Sequence, residues 1–102
     1  KSEILCLDEP TTYLDIYYQI ELLELVKQLN KEHGLTIVMV LHDMNQAIKY
    51  SDHIILMKDG QVFTEGAPHE VMTKENIKEV YDVDVLVEHN ELTGMYMVPI
   101  SI

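Results

Sequence analysis

Four consecutive apolar residues, Ile4-Leu5-Cys6-Leu7, run without alternation into two adjacent acids, Asp8 and Glu9, and then into Pro10. This stretch constrains the fold more than any other. An unbroken apolar run of this kind fits a strand buried on both faces, as in a parallel sheet covered by helices. Pro10 lacks the N–H that a strand in a sheet interior must donate, so the strand has to end there. The two carboxylates are therefore expected at the carboxyl end of a buried strand, where open α/β sheets place their ligands. Two solvated acids closing a strand are the plainer alternative on the dipeptide alone. Cys6, the single cysteine, lies within the run and reads as a small core residue in a reducing compartment.

From Asp15 to about His33 the periodicity is helical. Ile20, Leu22, Leu23, Val26 and Leu29 share one face, and Glu21, Glu24, Lys27, Gln28 and Lys31 the other. Asp15 stands where an N-cap belongs and Gly34 where a helix ends. Leu35–Leu41 is a second apolar, β-branched run, hence a second buried strand. Strand, helix and strand at this spacing make a βαβ unit with parallel strands. Parallel strands end on the same sheet edge, so His42 is expected beside Asp8 and Glu9. Asp43 with Gln46 has the spacing of a capping box for a short helix, Met44 to Tyr50.

Beyond that helix the pattern becomes local. Ile54–Met57 and Gln61–Glu65 flank a Gly-containing turn and read as a hairpin, with Gly60 supplying positive φ. Pro68 suits the first turn of a short helix, and Thr73 suits the cap of another, from Lys74 to about Tyr81. Val83, Val85 and Val87, then Met95 and Met97, alternate as a final hairpin with one buried face. His53 beside its strand reads as structural. His33, His42, His53, His69 and His89 are scattered without metal-ligand spacing, so no zinc site is expected.

Charge excludes several functions. Eighteen acids oppose seven basic residues, all lysine, for a net charge of −11. Such a balance argues against nucleic acid as a partner and against unaided attraction to anionic lipid. No segment approaches the roughly 18 apolar residues that cross a bilayer. The chain is expected to run from its first residue straight into a strand, with no signal peptide.

The segment Leu7-Asp8-Glu9-Pro10-Thr11-Thr12-Tyr13-Leu14-Asp15 resembles the Walker B and D-loop of ATP-binding-cassette (ABC) ATPases. Val40-Leu41-His42-Asp43 is similar to that family's H-loop. Lys58-Asp59-Gly60 and Gly66-Ala67-Pro68-His69-Glu70-Val71 match the family's pattern C-terminal to the H-loop. The resemblance runs through nearly the whole chain and is carried most heavily by residues 3–15 and 35–66. It implies Asp8 as the Mg²⁺-associated acid that meets the nucleotide. It implies Glu9 as the catalytic base, His42 as a contact for the γ-phosphate and for Glu9, and Asp15 as an acid facing a second subunit. The implied fold class is α/β: the C-terminal part of a P-loop nucleotidase fold, followed by a β-hairpin and a small α+β tail. Residues 1–66 would be the C-terminal part of the ATPase core and residues 67–102 a helical and β tail of the same domain.

The tail, with Asp82-Val83-Asp84-Val85 and a Val98-Pro99 ending, looks like that of subunits importing iron-siderophore, haem or cobalamin. The implied activity is hydrolysis of MgATP coupled to uptake. The implied partners are a second ATPase subunit in a homodimer and an integral membrane permease, at the cytoplasmic face of the membrane and without direct insertion. No G-x-x-x-x-G-K-[ST] phosphate loop occurs in the sequence, nor a Leu-Ser-Gly-Gly-Gln signature, so these residues alone are expected to be inactive. An ABC-type chromosome-maintenance or DNA-repair ATPase, and a non-enzymatic α/β fragment, are the alternatives. In the family's fold a further strand lies between 35–41 and 53–57, so those two strands are expected either to close together or to leave an edge that pairs with a second copy.

Overall fold

A computed structural model describes residues 3–102. The expectation about the very first residues falls outside this range. The chain divides into two compact units, one up to Asp43 and one over Met44–Ile102.

In the first unit, β1 (Ile4–Asp8) and β2 (Thr36–Val40) form a parallel two-stranded sheet, joined by helix α1 (Ile16–His33). The register sets Ile4 beside Thr36, Cys6 beside Val38 and Asp8 beside Val40. Leu23 and Val26 of α1 are buried, and Ile20, Leu22 and Leu29 are half-buried, so the predicted helix face is the covered one. Gly34 ends the helix at φ 65°, its N–H donating to the Asn30 carbonyl at 3.0 Å. That left-handed turn lets α1 reverse into β2 without the steric penalty a Cβ would carry.

The expectation of strands buried on both faces is not met in this unit. Ile37 and Met39 are half-covered, whereas Val38 and Val40 alternate with them and are about half exposed. Ile4 and Cys6 lie with Val38 on that open face, and Cys6 is an exposed thiol rather than a core residue. The reason is geometric: successive side chains of a strand point to opposite faces, and within the unit one helix covers only one of them.

The second unit contains α2 (Met44–Tyr50), β3 (Ile54–Lys58), β4 (Gln61–Gly66), α3 (Pro68–Val71), α4 (Lys74–Tyr81), β5 (Asp84–Asn90) and β6 (Gly94–Ser101). Strands β3 and β4 form one antiparallel hairpin, and β5 and β6 another. Among the described residues β2 pairs with β1 and β3 with β4, each pair in its own sheet. Asp59 and Gly60 both take positive φ, 52° and 76°, at the two-residue turn between β3 and β4. Two such residues match the right-handed twist of the flanking strands.

One core joins these elements: Ile48, Ile54, Leu56, Val71, Met72, Ile77, Val85 and Met97, with Val83, Val87 and Met95 packed against it. The predicted alternation of the last hairpin is thus its inward face. Thr73 caps α4 by accepting the Asn76 N–H at 3.1 Å. Pro68 opens α3, where Glu70 reaches back to the Ala67 N–H at 3.1 Å. Asn45 of α2 bonds the Met97 backbone on both sides, donating to its carbonyl at 3.1 Å and accepting its N–H at 2.7 Å.

Candidate functional site

The carboxyl edge of the β1–β2 sheet gathers the chemistry. The ladder continues one step past β1, where the Glu9 N–H donates to the Val40 carbonyl at 3.0 Å. Glu9 itself turns into the left-handed region at φ 51°, a conformation uncommon outside glycine and one that often accompanies function. Pro10 follows, and the Thr12 N–H returns to the Glu9 carbonyl at 3.2 Å. The result is a four-residue turn with proline in its second place, where its fixed φ is favoured.

This turn aims the Glu9 carboxylate at the end of the neighbouring strand. His42 Nε2 lies 3.1 Å from Glu9 Oε1. A carboxylate only accepts, so in this contact any hydrogen bond would have to be donated from the ring nitrogen. The side chains are 41% exposed for Glu9 and 74% for His42. Pairs this open to water contribute little to stability, so the contact matters for orientation. The Thr12 hydroxyl donates to the same Oε1 at 3.3 Å. His42 Nε2 and the Thr12 hydroxyl therefore both meet Oε1 of the Glu9 carboxylate.

Asp8 is exposed at the end of β1, beside Val40 in the register. Among the described residues no group of three or more His, Cys, Asp or Glu side chains could hold a metal ion. Magnesium keeps several waters and commonly takes one or two protein carboxylates plus substrate phosphates. Asp8 fits such an ion as a single carboxylate ligand whose remaining partners are phosphate and water. Asp15 occupies the N-cap position of α1, yet its side chain makes no capping bond, so its carboxylate is not committed to the helix end. The helix entrance is tied instead by Gln19, whose side-chain amide donates to the Leu14 carbonyl at 2.8 Å.

The structure thus brings together Glu9 and His42, keeps Asp8, the residue before Glu9, at the same sheet edge, and places Asp15 at the start of α1. Thr12 was not singled out by sequence reasoning. The signal available was its place three residues after Glu9 across a proline turn, which is the spacing at which a turn brings two side chains over one another.

No family model matches the chain. Curated relatives do. The iron(3+)-hydroxamate import ATP-binding protein FhuC of Bacillus subtilis is 51% identical over 83 residues, 81% of this chain and 31% of that protein. The ferric enterobactin transport ATP-binding protein FepC of Escherichia coli is 43% identical over 98 residues, 96% of this chain and 36% of that protein. The petrobactin import ATP-binding protein FpuC of Bacillus anthracis is 48% identical over 85 residues, 83% of this chain and 31% of that protein. The chain spans about a third of the length of these relatives.

Among solved structures, a metal-chelate type ABC transporter in an inward-facing conformation superposes with a TM-score of 0.86 at 23% identity, covering 96% of this chain and 40% of that one. A dimeric ATP-binding cassette in a post-hydrolysis state, bound to ADP and Pi, superposes with a TM-score of 0.60 at 40% identity, covering 64% of this chain and 28% of that one.

Proposed function

The chain belongs by sequence to the ATP-binding subunits of ABC transporters, and on that premise we propose that it carries the water-activating part of an ATPase that powers uptake of an iron chelate. The observation that carries this reading is the 3.1 Å contact between Glu9 and His42, residues that close two different strands. A general base must be held within hydrogen-bond reach of its water, with its orientation fixed by a neighbour. Glu9 has such a neighbour at Oε1, and its Oε2 would accept a proton from water attacking the γ-phosphate.

Phosphoryl transfer needs little covalent help and depends on positioning and charge stabilisation. Glu9 orients and deprotonates the water. An N–H at His42 Nε2, 3.1 Å from Glu9, is the donor that a γ-phosphate oxygen would attract as negative charge develops there. Asp8 would hold Mg²⁺ as its protein carboxylate, and the ion would neutralise phosphate charge. Asp15, whose side chain makes no capping bond, would face a second ATPase subunit in a homodimer. The cationic cradle for the phosphates comes from other parts of the intact subunit, since these 102 residues hold no phosphate loop.

Iron-siderophore import follows from the relatives' cargo, and a membrane permease is the partner that import requires. That assignment places the subunit at the cytoplasmic face of the membrane as a peripheral component. No helix among the described residues is long and apolar enough to cross a membrane.

In the intact subunit, Glu9→Gln should retain ATP binding and stop hydrolysis, because the amide keeps the shape but cannot take a proton. His42→Ala should lower kcat by roughly tenfold or more, the scale on which a single acid–base or oxyanion group acts, while ATP affinity stays within a few-fold. Steady-state ATPase rates with equilibrium nucleotide titration separate the two effects. Variants that mainly raised KM, with kcat near wild type, would sink the assignment.

A further inference from the structure

We propose that Thr12 is a positioning residue for the catalytic carboxylate of Glu9, holding it in place when His42 turns its proton to the phosphate. The inference rests on the ATPase reading above and adds a residue to it. Its basis is the double tie between residues 9 and 12. The Thr12 N–H bonds the Glu9 carbonyl at 3.2 Å, and the Thr12 hydroxyl bonds Glu9 Oε1 at 3.3 Å. Pro10 stiffens the turn between them by fixing its own φ.

The need for a second donor comes from proton counting at His42. Nε2 can bear only one hydrogen, and it lies 3.1 Å from Glu9 Oε1. If the same N–H is drawn to a γ-phosphate oxygen, Glu9 loses it or keeps only a shared, weaker bond. Glu9 is also a three-torsion side chain on a left-handed backbone (φ 51°), and 41% exposed, so nothing apolar clamps it. The Thr12 hydroxyl is the remaining donor on that oxygen among the described residues. It comes from the same turn as Glu9, so it moves with the carboxylate rather than with β2. Oε2 would then serve the water in both positions of the histidine.

The test is a set of variants in the intact ATP-binding subunit: Thr12→Val, Thr12→Ser, Glu9→Gln, and Glu9→Gln combined with Thr12→Val. Thr12 is exposed, and valine matches the shape of threonine without the hydroxyl, so the fold is retained. Thr12→Val is expected to lower kcat about five- to tenfold with KM for ATP within about twofold, the pattern of an interaction that orients rather than binds. Thr12→Ser restores kcat to within about twofold of wild type, because it restores the donor. In the Glu9→Gln background, which retains ATP binding, Thr12→Val leaves ATP affinity within about twofold, since the hydroxyl acts through the carboxylate and not on the nucleotide.

Wild-type kcat in Thr12→Val alongside an inactive Glu9→Gln would overturn the role of Thr12 and leave the ATPase reading standing. Failure of Thr12→Ser to rescue, or a loss of ATP affinity in the double variant, would likewise overturn it. Full ATPase activity in Glu9→Gln would remove both the assignment of Glu9 and the role built upon it.

Discussion

Replacing Asn45 removes a bracket in the second unit. Its side-chain amide stands in for a neighbouring strand, accepting the Met97 N–H at 2.7 Å and donating to the Met97 carbonyl at 3.1 Å. Met97 is 2% exposed and belongs to the core, so α2 is tied to β6 at the residue where that hairpin enters the apolar cluster. Each hydrogen bond contributes a net ~1 kcal/mol. A larger loss would follow if the Met97 groups were left dry and unpaired. Asn45 itself is exposed, however, so truncation admits water to them, and Asn45→Ala should cost about 2 kcal/mol. With a urea slope of about 1–3 kcal/mol per M, the midpoint falls by roughly 1 M. Asn45→Asp should be at least as damaging. It can still accept the Met97 N–H, but it turns a carboxylate oxygen toward the Met97 carbonyl in place of a donor. Urea titration of the 102-residue chain followed by far-ultraviolet circular dichroism measures both. A midpoint unchanged in Asn45→Ala, or an Asn45→Asp variant as stable as the parent, would refute the bracket.

Two further outcomes are expected of the same chain. Lys58, 2.8 Å from Glu79, has its ammonium held above the ordinary 10.5 chiefly by that hydrogen bond; desolvation pulls the other way and the charges of Glu79 and Asp59 add to the rise. A raised folded value means that its contribution is complete below about pH 10.5 and lost as pH climbs through the folded value. Lys58→Met should therefore flatten the alkaline limb of stability, by less in high salt, and thermal melts at about pH 9–12 with parallel slopes in both proteins would contradict this. The chain should also self-associate through the open face of the β1–β2 sheet, more strongly when salt screens its net charge of −11. Sedimentation velocity across concentration should show this, with Val38→Lys abolishing it. A strictly monomeric chain at high salt would count against that surface.

The placing of Glu9 and His42 at one sheet edge was legible in the sequence because it depends on topology. Two apolar runs joined by a helix make parallel strands, and parallel strands deliver their ends to one edge. Met44–Tyr50 and Lys74–Tyr81 were legible for a different reason, since caps and apolar spacing act within a few residues. The covering of β1 and β2 was not legible. The run Ile4–Leu7 states what the strand can tolerate on both faces, and not what lies against it, so Cys6 was read as core and is exposed. Asp15 has the residue type and place of an N-cap, yet its side chain makes no such bond. Nor was the Thr12 contact legible, because it depends on Glu9 adopting φ 51°, and a glutamate gives no local sign of that conformation.

The pairing distances along the chain have a kinetic consequence. The β3–β4 and β5–β6 hairpins close across residues 59–60 and 91–93, loops that form on the microsecond scale. The β1–β2 ladder must bring together strands separated by residues 9–35, so its closure waits on ordering α1 and carries the larger entropic barrier. The Glu9–His42 contact exists only while that ladder is shut, because the Glu9 N–H is bonded to Val40 at its last rung. The Glu9–His42 arrangement is thereby tied to the ladder with the longest sequence separation of the three. The exchange rate of one backbone amide, that of Glu9, becomes a direct clock for how often the site comes apart.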